Sequence, residues 1–170
     1  LNDNQKYHGI LIQLPLPKHL DSQKILNSVS SLKDVDGFHP MNLGKLLEGN
    51  PNFIPCTPNG IIEILKFYNI KTLGKHVVIV GRSNIVGKPM FALLSQKFEK
   101  GNATVTICHT KTKDISYHTR QADIIIAAVG VPKFITSEMI KDDVILIDVG
   151  INYINDKSVK GYHLVGDVDF

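Results

Sequence analysis

The sequence has no tryptophan, and only two cysteines and three methionines among its 170 residues. No apolar run reaches the ~18 residues that a membrane span requires, so none is read. Cys56 and Cys108 match no zinc-ligand spacing and are too few for a disulfide framework, which points to two reduced thiols in an intracellular protein. Neither sign of charge dominates. The 19 Lys and Arg against 16 Asp and Glu leave a net charge of +3, and the basic residues are scattered, so nothing argues for nucleic acid. Asp34 and Asp36 have no third ligand at convincing spacing, so no metal is read. His39, His109 and the two cysteines form no recognisable catalytic set. Repeats and low-complexity segments are also lacking.

What is present fits a soluble globular chain: 43% hydrophobic and 21% charged residues. Gly9–Leu14, GILIQL, is a continuous apolar run that predicts a buried strand, stopped by LPLP. Asp21 predicts a helix cap over SQKILNSVSSL. KDVDGFHP reads as a loop, and MNLGKLLEG as a short helix ended by Gly49. PNFIPCTPNG, with three prolines, reads as a connector, and Thr57–Pro58 as a helix start. A regular alternation then follows. Strands are predicted at Val77–Val80, Thr104–Cys108, Asp123–Val129 and Val144–Val149. Between them lie predicted helices at Pro89–Phe98, near Ser116–Gln121 and at Ser137–Ile140, and a further strand is expected from His163. Apolar strands separated by helices imply a parallel sheet covered on both faces. The expected fold is therefore α/β, a Rossmann-like doubly wound sheet with the end of a second α/β domain before it. The boundary is placed near Pro55, dividing residues 1–56 from 57–170.

VVIVGRSNIVGKP, residues 77–89, carries the strongest signal. A buried strand runs through a glycine loop into a helix, but Ser83 stands where G-x-G-x-x-G would have its middle glycine. Backbone N–H groups at such a helix start are expected to face an anion, with Gly81 making the turn and Gly87 allowing close packing. Ser83 either donates to phosphate or holds the loop. A plain strand–helix turn is the alternative. An NAD site usually ends its second strand in Asp or Glu. Here Cys108 is followed by HTKTK, and no acid occurs before Asp114. With Arg82 in the loop, this favours NADP over NAD, although HTKTK also reads as a solvated loop. Ile151 in GINY either packs on a cofactor or simply packs. Gln13 is either a satisfied core amide or a ligand-facing group. Asp34 and Asp36 are either turn formers or carboxylates for an amino-heterocycle.

GILIQLPLP, KDVDGFHP, PCTPNG, VVIVGRSNIVGKP, TVTICHTKTKD, ADIIIAAVG, VILIDVGIN and LVGDVDF, taken in order, resemble the bifunctional methylenetetrahydrofolate dehydrogenase/methenyltetrahydrofolate cyclohydrolase (FolD) family. The resemblance implies NADP-dependent oxidation of 5,10-methylenetetrahydrofolate, hydrolysis to 10-formyltetrahydrofolate, tetrahydrofolate derivatives as ligands, and a homodimer. It implies cofactor contacts from Gly81, Arg82, Ser83, Thr110 and Ile151, a catalytic role for Gln13, folate contacts from Ile12, Gln13 and Leu14, and pterin binding by Asp36. A cytoplasmic location is expected, or an organellar one. The family's Tyr-x-x-x-Lys motif does not precede Leu1, and YINDK at Tyr153–Lys157 is read as a chance match in a turn. Both ends therefore look cut. Two other readings stand beside this one. One is an inactive NADP-binding homologue. The other is a different NADP-linked dehydrogenase, which QLPLP and DVDGF together disfavour.

Overall fold

The computed structural model describes residues 1–99, 101–157 and 159–170. Its centre is a four-stranded parallel sheet of β1 (His76–Val80), β2 (Thr104–Cys108), β3 (Ile124–Ala127) and β4 (Ile145–Asp148), in the order β2-β1-β3-β4. The strands alternate with α4 (Gly87–Ser95), α5 (Ile115–Thr119) and a 3-10 turn at Ser137–Met139. Before the sheet come α1 (Ser22–Ser28), α2 (Pro40–Glu48) and α3 (Cys56–Phe67).

Successive side chains of a strand point to opposite faces, and β1 is buried on both. Val77 and Ile79 join Ile124 and Ile126 in a core with Leu46, Ile61, Ile62, Leu65, Met90 and Leu94, beneath α2, α3 and α4. Val78 and Val80 join Ile125, Ala127 and Cys108 in a second core with Ile135 and Val168. Val77 to Val80 are all 0% exposed. Each such Val or Ile contributes roughly 1.5–3 kcal/mol by leaving water, so β1 is the best anchored element, and the loop after it is held in place. At the other end of the sheet, the Asp123 carboxylate accepts the His76 N–H at 2.9 Å and a Lys141 Nζ bond at 3.0 Å. Those two hydrogen bonds hold its pKa below the ordinary value.

The parallel sheet agrees with the expectation from sequence, and β2 has the predicted bounds. Four local expectations are corrected. Gly9–Leu14 is not a buried strand. It makes only an isolated bridge, Ile10 with Asp34, with Ile10 N–H donating to Lys33 O at 2.7 Å, and Leu11 is 57% exposed. Among the described residues no strand lies alongside to complete a ladder, and an apolar run is a strand only if one does. Asp21 caps α1 as predicted, accepting from Lys24 N, but that helix stops at Ser28. There Ser30 O takes the N–H groups of Lys33 and Asp34 and turns the chain. α3 begins at Cys56 with Pro55 as its cap residue, one position ahead of the predicted start, which leaves Pro58 still within the first turn where its missing N–H costs nothing. Finally, Tyr153–Lys157 does not lie in a turn alone. Asn152–Asn155 forms β5, antiparallel to β6 (Tyr162–Val165). Its polar ends and exposed faces hide it from a search for buried runs.

Candidate functional site

From β1 the chain crosses to β2 on one side and then back to β3 on the other. The two crossovers part above the carboxyl end of β1, where doubly wound sheets bind their ligands. The loop Gly81–Gly87 lies there. Gly81 has φ 129°, and a Cβ on it would overlap the Ala128 carbonyl at the end of β3. No side chain fits between these strand ends. Gly87 packs as closely: a Cβ there would overlap the Gly81 carbonyl oxygen and stand 2.8 Å from Arg82 Cα.

Ser83 shapes the loop. Its hydroxyl oxygen accepts from Val86 N at 3.0 Å and Gly87 N at 3.4 Å, and its carbonyl accepts from Lys88 N at 3.0 Å. Pro89 has no N–H, and Met90 N donates to Val86 O at 2.9 Å. The donors at the start of α4 are therefore used within the loop. This corrects the expectation that they face an anion. The polar side chains that remain on this side of the loop are the Arg82 guanidinium and the hydroxyls of Ser83 and Thr110.

Those groups face a cleft of about 560 Å³. Gly81, Arg82 and Ser83 form one side of it, and His109 and Thr110, just past β2, form the rim. The rest of the lining is largely apolar, with Ile115, Val129, Val131 and Phe134. The rim turn is tight: His109 N donates to Thr112 Oγ1 at 3.0 Å, and His109 Nδ1 accepts from Lys111 N at 3.1 Å. Asp114 is occupied elsewhere, capping α5 through Tyr117 N at 2.9 Å. Among the described residues, no carboxylate lines the cleft. One guanidinium, two hydroxyls and an apolar wall fit a phosphorylated nucleotide, and the Gly81 cradle lets its backbone come close. Ile151 does not line this cleft. It is 71% exposed, between β4 and β5.

A second pocket, about 270 Å³, gathers Ile12, Gln13, Leu14 and Asp36 with Phe38 and Ile85. The two aspartates of KDVDG are used differently. Asp34 is 6% exposed and accepts from His39 N and Asn42 Nδ2, both at 2.8 Å, so it builds the loop. Asp36 faces the pocket, and its carboxyl is pushed above the ordinary pKa, by burial first and then by the Asp34 charge. Gln13 is not a core amide. It is exposed, and its Nε2 donates to the adjacent Leu14 O at 3.2 Å. Ile85 belongs to the glycine loop, so one loop walls both cavities. Sequence reasoning missed Ile85, Phe38, His109 and Phe134 as lining residues. Ile85, Phe38 and His109 lay inside quoted motifs, whereas Phe134 carried no periodic or motif signal.

Residues 55–170 match the model of the tetrahydrofolate dehydrogenase/cyclohydrolase NAD(P)-binding domain, and residues 1–36 match that family's catalytic domain. The chain belongs to the tetrahydrofolate dehydrogenase/cyclohydrolase family. It is 57% identical over 171 residues to the bifunctional protein FolD of Chlamydia muridarum, and 58% over 173 residues to that of Chloroherpeton thalassium. Both alignments take in 100% of this chain, which spans 60% and 59% of those relatives. Among solved structures, the bifunctional enzyme FolD of Campylobacter jejuni is 50% identical with a TM-score of 0.87, over 99% of this chain and 57% of that one. The FolD of Trypanosoma brucei, complexed with NADP cofactor and inhibitor, is 39% identical with a TM-score of 0.88, over 99% of this chain and 57% of that one. Family membership thus agrees with the resemblance read from the eight motifs.

Proposed function

We propose that this chain carries the NADP site and a folate-facing wall of an enzyme that oxidises 5,10-methylenetetrahydrofolate to 5,10-methenyltetrahydrofolate and hydrolyses that product to 10-formyltetrahydrofolate. The observation that carries the reading is the shared loop: residues 81–83 wall the cleft and Ile85 walls the pocket that holds Gln13 and Asp36. A redox transfer between two bound molecules needs two such cavities side by side.

NADP, when bound, supplies the acceptor for a hydride from the methylene bridge. The chain's own residues do the rest. Arg82 and Thr110 hold the 2′-phosphate, for which the absence of a cleft carboxylate is the support. Ser83 holds the loop and keeps its hydroxyl hydrogen for the ligand. Asp36, as a carboxylate, accepts paired N–H bonds from the pterin ring. Ile12 and Leu14 flank the folate, and Gln13 orients the water that adds to the electrophilic bridge carbon, where positioning matters more than strong activation. Ile151 meets the cofactor's edge, a role supported by its position just past β4, the strand beside β3.

The division at residues 56 and 57 separates the folate side from the cofactor side, with α2 packed into the core beneath α4 as the joint. A homodimer is supported by the hairpin β5–β6, which exposes Tyr153 at 67% and Leu164 at 57%. A cytoplasmic location is supported by two free cysteines, one of them exposed, and no described helix is long and apolar enough to cross a membrane.

The test is to mix the protein with NADP and 5,10-methylenetetrahydrofolate and follow NADPH by absorbance, then assay 10-formyltetrahydrofolate. NADPH formation supports the reading. NADP binding without turnover would return the inactive NADP-binding homologue, and no NADP binding would refute the cofactor assignment.

A further inference from the structure

One stretch of the cleft lining is hydrogen-bonded to a carboxylate that is not itself among the lining residues. Asp167 is 0% exposed. Its Oδ2 accepts two backbone N–H bonds, from Val129 at 2.7 Å and Gly130 at 2.9 Å. Its Oδ1 accepts from Asn152 Nδ2 at 2.9 Å. Val129 lines the cleft, as do Val131 and Phe134 in the same loop. The backbone around Asp167 braces the rest of that loop: Lys133 N donates to Gly166 O at 3.1 Å, and Ile135 N to Asp167 O at 2.9 Å.

A second carboxylate fixes the first. Asp148, at the end of β4, accepts from Asp167 N at 2.8 Å and Gly150 N at 3.1 Å through Oδ1, and from Val168 N at 3.1 Å through Oδ2. The two segments interlock. A Cβ on Gly166 would overlap the Asp148 carboxylate, and one on Gly150 would overlap the Asp167 carboxyl group. A buried carboxylate is tolerated only where its oxygens are met by donors, and here every donor belongs to the wall or to the strand ends beside it.

We propose that Asp167 is a positioning residue for the cofactor: its carboxylate holds the Val129–Phe134 wall of the cleft in its binding form. The proposal rests on reading that cleft as the NADP site. Without the carboxylate, two buried N–H groups lose their acceptor. The wall then samples other conformations, and apparent affinity falls with the fraction of molecules in the competent one. Asn152 sits across from Oδ1, so the pair can be exchanged. An amide at 167 can accept both N–H bonds through its oxygen and donate to a carboxylate at 152.

The experiment titrates NADP into the full chain by calorimetry, at a temperature where melting curves show each variant folded. Asn152→Asp, which sets carboxylate against carboxylate, is expected to raise the NADP Kd about tenfold. The exchange Asp167→Asn with Asn152→Asp is expected to return it to within about threefold of the parent. Asp167→Ala, if folded, is expected to weaken NADP tenfold or more, while folate affinity is unchanged. A purely structural role would lower melting temperatures without the selective loss and its rescue. An Asn152→Asp variant that binds as the parent does, or an exchange variant as weak as the single one, overturns the proposal alone. A parent chain that binds no NADP overturns the cofactor reading, and this proposal with it.

Discussion

Replacing Gly87 with alanine puts the geometry of the glycine loop to its sharpest test. Gly87 opens α4, where alanine would ordinarily help by up to about 1 kcal/mol through helix propensity. The surroundings oppose it. The new methyl would overlap the Gly81 carbonyl oxygen and lie 2.8 Å from both Gly81 C and Arg82 Cα. Carbon atoms in contact prefer ~3.5–4.0 Å, so the loop must move by about 1 Å. The obstructing atoms are backbone, and no side-chain rotation relieves them. Overpacking of this kind costs about 1–3 kcal/mol, which exceeds the propensity gain and leaves a net loss of about 1–2 kcal/mol. The larger effect falls on binding. Arg82 moves with the loop, and a ~1 Å misplacement can lower activity by about a hundredfold. We expect NADP affinity to fall at least tenfold by calorimetry, and kcat/KM for NADP to fall with it. Gly60→Ala in α3 is the control, because a Cβ there meets nothing within 4 Å. It should be neutral or stabilising by up to about 1 kcal/mol. A Gly87→Ala protein with parental stability and NADP affinity would refute the account of the loop.

Two further substitutions separate the cavities. Arg82→Ala should weaken NADP roughly ten- to a hundredfold, the range of a lost hydrogen bond to a charged group, and weaken NAD much less. Equal losses for both would show that Arg82 only shapes the loop. Asp36→Asn should weaken folate binding with NADP affinity unchanged, and folate affinity in the parent should fall as pH drops through a value above the ordinary Asp pKa. The linkage sign follows from the raised pKa: the stability it contributes is present below the unfolded pKa and lost as pH rises through the folded one. At neutral pH, Asp36→Asn should therefore raise the melting temperature slightly. A lowered melting temperature, or unchanged folate binding, would show that Asp36 is a turn former.

The class of fold and the position of the glycine loop were legible in the chain. Strands β1 and β3 are apolar runs that the structure buries, and Gly81 and Gly87 mark the two backbone approaches that no larger residue permits. The motif order also carried the family, because eight segments at consistent positions constrain far more than one loop does. How polar groups are used emerges only in the folded molecule. Asp34 and Asp36 are indistinguishable as sequence, yet one meets Asn42 and His39 while the other faces a pocket. Ser83 spends its oxygen on Val86 and Gly87 because the loop folds back on itself. GILIQL has strand composition but only an isolated bridge, whereas NYIN has none of that character and pairs with YHLV. The hydrogen bonds from Val129 and Gly130 to Asp167 span 38 and 37 residues, and those from Asp167 and Val168 to Asp148 span 19 and 20. A hydrogen bond depends on where two groups meet in space, and neither a ladder nor a carboxylate's partners can be read from neighbours along the chain.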